Sequence, residues 1–159
     1  MDQTTRDRIR HIFLSPRPTF ALMPAAELLG MTFGELKREM ESGAIVAVST
    51  RLGQRVTREE LVAAAMRMWE QSVIEEALGR DAAAVLPEAI RLVELRARVP
   101  RYQRDMLRYL AQQHGTSIDD VLTRELEDVA CAHAEELAGA VPGFEMALVW
   151  PESATDAAN

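Results

Sequence analysis

The stretch VELRARVP, residues 93–100, alternates polar and apolar residues and closes on a proline. In an extended chain, residues two apart share a face. Leu95, Ala97 and Val99 therefore point one way, and Glu94, Arg96 and Arg98 the other. The alternation predicts a strand. A lone strand leaves backbone N–H and C=O groups unpaired along its edges. The sequence beyond it reads as helix, so the partner strand is expected from a second copy of the chain. The product is a two-stranded antiparallel ribbon. Its apolar face packs on helices, and its other face shows Arg96 and Arg98 from each copy. That second face suits the major groove of duplex DNA, where a guanidinium reaches guanine O6 and N7.

The sequence that follows supports this reading. RYQRDMLRYLAQQHG, residues 101–115, places Met106, Leu107, Leu110 and Ala111 on one side of a helix and ends at Gly115. Ser117 and Asp120 then mark a new helix start. Ile118, Val121, Leu122, Leu126, Val129 and Leu137 form its apolar stripe. Strand, proline, helix, Gly-Thr-Ser turn and helix together resemble the ribbon-helix-helix family of DNA-binding proteins, over about residues 92–138. The resemblance implies a homodimer joined through Leu95, Ala97 and Val99. It implies base reading by Glu94, Arg96 and Arg98, and a phosphate held by the N–H groups of Thr116, Ser117 and Ile118 at a helix start. Glu94 either accepts from cytosine N4 or repels phosphate.

A second pattern lies upstream. PAAELLG (24–30) reads as a short helix opened by Pro24 and closed by Gly30. Thr32 and Glu35 have capping-box spacing ahead of a second helix that ends before Gly43. AIVAVS, a turn at Arg51 to Gln54, and Arg55-Val56-Thr57 read as a hairpin, and TREEL (57–61) opens a helix to about Leu78. This order resembles the MerR-like and excisionase-like winged helix-turn-helix families. The resemblance implies that Thr32, Phe33, Lys37 and Arg38 lie on or near the major-groove helix, and that Arg51, Gln54 and Arg55 reach backbone or minor groove. Glu35, Glu39 and Glu41 make that helix less basic than such a role suggests.

The net charge of −7 argues against nucleic acid at first sight, but it is unevenly spread. Residues 91–115 carry six Arg against two acids, and residues 116–159 carry one Arg against ten. Seventeen of the 18 cations are Arg, whose planar fork suits phosphate and guanine edges. The acidic end is a solvated face, a region that holds DNA away, or a partner-binding tail.

Other chemistry has little support. Cys131 is the lone cysteine, so no internal disulfide forms, and it is expected as a buried thiol on a helix. His11, His114 and His133 are scattered, which argues against a metal site. Acid pairs such as Glu59-Glu60 and Asp119-Asp120 fall at helix starts, where they complement the helix dipole. No enzyme motif is found and no cofactor is implied. No apolar run approaches the roughly 20 residues of a membrane span, and the N-terminus lacks signal-peptide character. A cytoplasmic, nucleoid-associated protein is expected.

The expected chain is mainly α, with a winged helix-turn-helix module followed by a ribbon-helix-helix module that dimerises through an intermolecular ribbon. Residues 1–19 form an arm, 20–78 the winged module, 79–91 a linker, 92–138 the ribbon module and 139–159 a tail. The function implied is sequence-specific binding of double-stranded DNA by a dimeric transcriptional regulator. The competing reading is an antitoxin that regulates its own operon and binds a small protein toxin through PGFEMALVW (142–150), since such tails often follow ribbon-helix-helix domains. The plainer alternative is that Phe144, Leu148 and Trp150 fold back on the body. The last residues, ESATDAAN (152–159), are expected to be disordered.

Overall fold

Ile9, Ile12 and Phe13 recur three and four apart and bury one side of the first helix, α1 (Gln3–Leu14), whose start is capped by Asp2. In the computed structural model, which describes residues 1–151, this helix belongs to the core rather than to an arm. Arg10 ties it to the chain 70 residues on, donating to Ala77 O, Leu78 O and, at 2.7 Å, Asp81. Pro16 and Pro18 end the helical run, and β1 (Thr19–Ala21) follows.

The next helix, α2 (Leu22–Leu29), starts two residues earlier than expected. Pro24 sits in its first turn, where a missing N–H costs no hydrogen bond. Gly30 closes α2 at φ +73°, a left-handed conformation that favours glycine. The capping box of Thr32 and Glu35 opens α3 (Phe33–Glu41). Ile45 anchors the return into β2 (Ala47–Thr50), which turns at Arg51-Leu52 into β3 (Gly53–Thr57). Here the expected two-stranded wing is part of a larger sheet. The strands run antiparallel in the order β1-β3-β2, with Ala21 opposite Arg55 and Thr50 opposite Gly53.

The helix expected from Thr57 to Leu78 is two helices, α4 (Arg58–Met68) and α5 (Gln71–Leu78). No glycine or proline stands at the break. Packing sets it: the bend at Trp69 lets Ile74, Ala77 and Leu78 bury beside α1. The expected linker is also folded. It holds the short helix α6 (Ala82–Val85), and its Ala82 and Leu86 join the same core.

Beyond it come α7 (Arg101–His114), α8 (Ile118–Ala132), α9 (Ala134–Ala140) and α10 (Phe144–Val149). Gly115 joins α7 to α8 at φ +66°. The chain is thus mainly helical, but the ribbon-helix-helix fold class is not what it adopts. Residues 92–100 form no strand, and the three-stranded sheet lies wholly within residues 19–57. The reason is physical. Leu95 and Val99 remain 69% and 48% exposed, so within the chain the alternation finds no apolar surface to pack on. Cys131, expected as a buried thiol, is exposed. Residues 152–159, where disorder was expected, lie outside the described residues. Among the described residues no helix is long and apolar enough to cross a membrane.

Candidate nucleic-acid interface

α3 presents most of its surface. Leu36 alone is buried, and Met40 packs at the edge of the core. Phe33, Lys37 and Arg38 therefore face outward. Lys37 Nζ lies 5.2 Å from the Phe33 ring centroid, a cation–π pair one turn apart. Arg38 has no carboxylate within ion-pair distance among the described residues. Thr32 is committed to capping: its hydroxyl accepts from Glu35 N at 3.3 Å, and its N–H donates to Glu35 at 2.7 Å. The Thr32 N–H and then its hydroxyl, with Arg38 nearby, hold the Glu35 carboxyl below the usual range despite slight burial. Glu35 is thus occupied at the helix start, which answers part of the acidity noted for α3. Glu39 and Glu41 stay exposed.

The elements around α3 fix its pose. Ile45 N donates to Glu39 O at 3.1 Å. Arg67 on α4 donates to Ala44 O at 2.6 Å and lies 3.7 Å from Glu60, a carboxylate only 2% exposed. The bond to Ala44 O joins α4 to the turn that ends α3.

The hairpin splits the expected set. Arg51 and Gln54 are exposed at and beside the tip. Arg55 is not available: its Nε donates to Thr19 Oγ1 at 2.9 Å and its Nη2 to Thr19 O at 3.2 Å, a brace between β3 and β1. The tip itself is stiffened by Thr50, whose hydroxyl accepts from Leu52 N and donates to Gly53 O at 2.8 Å. Arg8 joins this surface without having been expected. A Cβ on Gly30 would lie 2.9 Å from its guanidinium, so Arg8 sits against the turn between α2 and α3. Only the apolar spacing of α1 hinted that this residue belongs to the same body.

The C-terminal set behaves differently. Arg96 pairs with Glu94 at 3.0 Å, both exposed, so the expected reader is held by its neighbour. Arg98 is exposed and unpaired among the described residues, and Ala97 is exposed. Arg101, Arg104 and Arg108 gather on Asp105, at 3.6, 2.7 and 4.0 Å. The Arg104 hydrogen bond above all holds the Asp105 carboxyl below its usual range, against slight burial. Five of the six arginines in residues 91–115 thus have a carboxylate within 4.0 Å.

The expected phosphate grip at α8 is filled from within the chain. Asp120 accepts from Ser117 N at 3.2 Å, Ser117 Oγ at 2.6 Å and Thr116 Oγ1 at 2.9 Å. Its other oxygen accepts from Ser72 Oγ on α5 at 2.7 Å. The Thr116 N–H goes to Ala111 O. Of the expected N–H donors, Thr116 and Ser117 are engaged, and Ile118 opens a helix whose dipole is already met by a carboxylate. Burial raises the Asp120 carboxyl, but the hydrogen bonds from Ser117, Ser72 and Thr116 outweigh it and leave the carboxyl below its ordinary value.

The tail turns back on the body, and Trp150 packs against the core. No protein-family model, curated protein or solved structure matches the chain.

Proposed function

We propose that this chain binds double-stranded DNA sequence-specifically, as a homodimeric transcriptional regulator, through α3 and the β2–β3 hairpin. One observation carries the reading. Lys37, Arg38 and Arg51 are exposed and free of carboxylates within ion-pair distance among the described residues, on a helix and hairpin tip that follow a Gly30 turn. A helix with one buried anchor and free cations suits major-groove reading, and a stiff hairpin tip suits the flanking backbone. The similarity of residues 24–62 to winged helix-turn-helix families supports the same surface. The dimer rests on a different observation: Tyr102, Met106 and Tyr109 on α7, and Leu126 and Val129 on α8, are apolar yet exposed. The antitoxin reading has less support, because Trp150 is engaged by the body.

The test is selection of sheared genomic DNA on the purified protein, run beside Lys37→Ala/Arg38→Ala and Arg96→Ala/Arg98→Ala variants. A two-fold protein selects a pseudo-palindrome with half-sites near multiples of about 10 bp. Arg38→Ala is expected to cost about 1–3 kcal/mol on the selected site if it pairs bidentately with guanine. An equal loss on every sequence, with a shallower salt dependence, makes it a phosphate contact instead. Enrichment lost only in the Arg96/Arg98 variant moves the reading to residues 93–100. No enrichment in the wild type removes the proposal.

A further inference from the structure

Arg58 opens α4 directly after β3 and lines a cleft of about 290 Å³. The rest of the wall is largely apolar: Phe13 from α1, Val62 from α4, Val85 from α6, and Val149 and Trp150 from the tail. Glu59 stands at the cleft too but forms no ion pair with Arg58. Arg58 Nη2 donates to Phe13 O and so caps the end of α1. That contact uses one donor of five. Nε is buried and meets no acceptor among the described residues, and no carboxylate there lies within 4.0 Å of the group. A permanently charged group with an unsatisfied buried N–H is costly where it stands. Nε has no exposed surface, so the terminal nitrogens are the ones left to meet an anion, and a carboxylate matches their geometry.

We propose that this cleft binds a small organic monocarboxylate with an apolar body, carboxylate on Arg58 and body against Phe13, Val85 and Trp150. The cleft sits near the lower limit of small-molecule sites and has their usual make-up, apolar walls with few polar groups. Its size suits one aromatic ring or a short branched chain. Arg58 directly follows the hairpin, and its N–H bonds Pro18 O beside β1 at 2.9 Å, so a bound acid sits at the base of the proposed DNA-contacting strands.

The test is calorimetric titration of the full chain with benzoate, phenylacetate and isovalerate at constant ionic strength, with benzamide as the uncharged control. Saturable binding of at least one acid, at least tenfold tighter than benzamide, is expected. Arg58→Met is expected to weaken it at least tenfold. Should that variant fail to fold, Val85→Phe narrows the cleft from another of its lining residues, leaves Arg58 in place and is expected to weaken binding equally. Arg98→Ala, far along the chain and exposed, is expected to change nothing. No saturable binding of any of the three acids overturns the proposal, and so does equal binding of benzamide. Binding that survives Val85→Phe places the acid elsewhere and overturns it too. A water-filled cleft predicts the first of these results.

Discussion

The two ends of the chain form helices equally readily but bury very different amounts of them. Among the described residues, twenty of the 22 buried hydrophobic ones lie between Ile9 and Leu86, and only Ala111 and Val121 lie in the α7–α8 hairpin. The hairpin is tied to the body by polar links, Ser72 to Asp120 and Arg124 to Glu70 at 2.8 Å. Helical periodicity therefore reports that a stripe exists, not that anything covers it. In the first region the stripes meet one another around Phe13, Leu36 and Leu61. In the second, Tyr102, Met106 and Tyr109 share a face at helical spacing and stay in solvent. The same kind of pattern has led to a core in one place and an exposed face in the other.

The largest expected effect breaks the buried side of this contrast. Leu36→Ala removes the single buried anchor of α3. It is expected to cost about 2–5 kcal/mol, the range for a buried Leu whose cavity only partly collapses. A urea titration measures it as a shifted midpoint. The variant is also expected to weaken DNA binding, because the pose of Lys37 and Arg38 depends on that anchor. A cost below about 1 kcal/mol, with binding intact, would mean that α3 is held by Ile45 and the Arg67 link instead, since well-packed sites rarely relax so fully.

Much of the first region was legible because its signals are local. Gly30, the Thr32/Glu35 capping box, Gly43 and the turn before Gly53 each punctuate the chain with chemistry that acts over three or four residues. What was not legible depended on distant partners. The role of α1 required its meeting with α5, which brings Arg10 to Asp81. The brace of Arg55 on Thr19 required β1 to pair with β3, across 36 residues. Asp120 at the start of α8 was readable as a cap, but its bond to Ser72 was not, and together these occupy the place where a phosphate was expected. The alternation at 93–100 was the most regular signal in the chain, yet it led to the wrong fold, because a strand forms only where another edge receives it.

Asp120 offers an intermediate effect, on the link between the two regions. Asp120→Ala removes one half of the capping box and the bond to Ser72, and is expected to cost about 1–2 kcal/mol, as cap losses do. Amide exchange across α7 and α8 is the suitable readout, since the loss falls on the hairpin rather than on the body. The pH dependence follows from the lowered carboxyl. Asp120 binds its proton less readily folded than unfolded, so its contribution is fully present above the ordinary aspartate value of 3.8 and is lost as pH falls through the lower folded value. The difference between wild type and Asp120→Asn is therefore expected to be steady near neutrality and to shrink only in strong acid. A difference that grows on acidification would mean that burial, not the hydrogen bonds, dominates at this carboxyl.

The smallest expected effect probes the exposed side. Leu126 is 49% exposed on α8. In an isolated chain, Leu126→Ala is expected to change stability by no more than about 0.5 kcal/mol, as for surface positions without a special role. The proposed homodimer alters that expectation in a measurable way. Tyr102, Met106 and Tyr109 on α7 and Leu126 and Val129 on α8 remain exposed, and the α8 acids Glu125, Glu127 and Asp128 form no ion pair among the described residues. If a second copy covers them, wild-type stability rises with protein concentration by mass action, and the cost of Leu126→Ala rises with it. Thermal melting of both proteins over a hundredfold concentration range separates the cases. Parallel, concentration-independent curves leave the hairpin as a solvated face, and the homodimer then has to be sought on the body. Curves that diverge as concentration rises show that the face left open in the single chain is covered in solution, and that the two regions differ in where their partner comes from rather than in whether they have one.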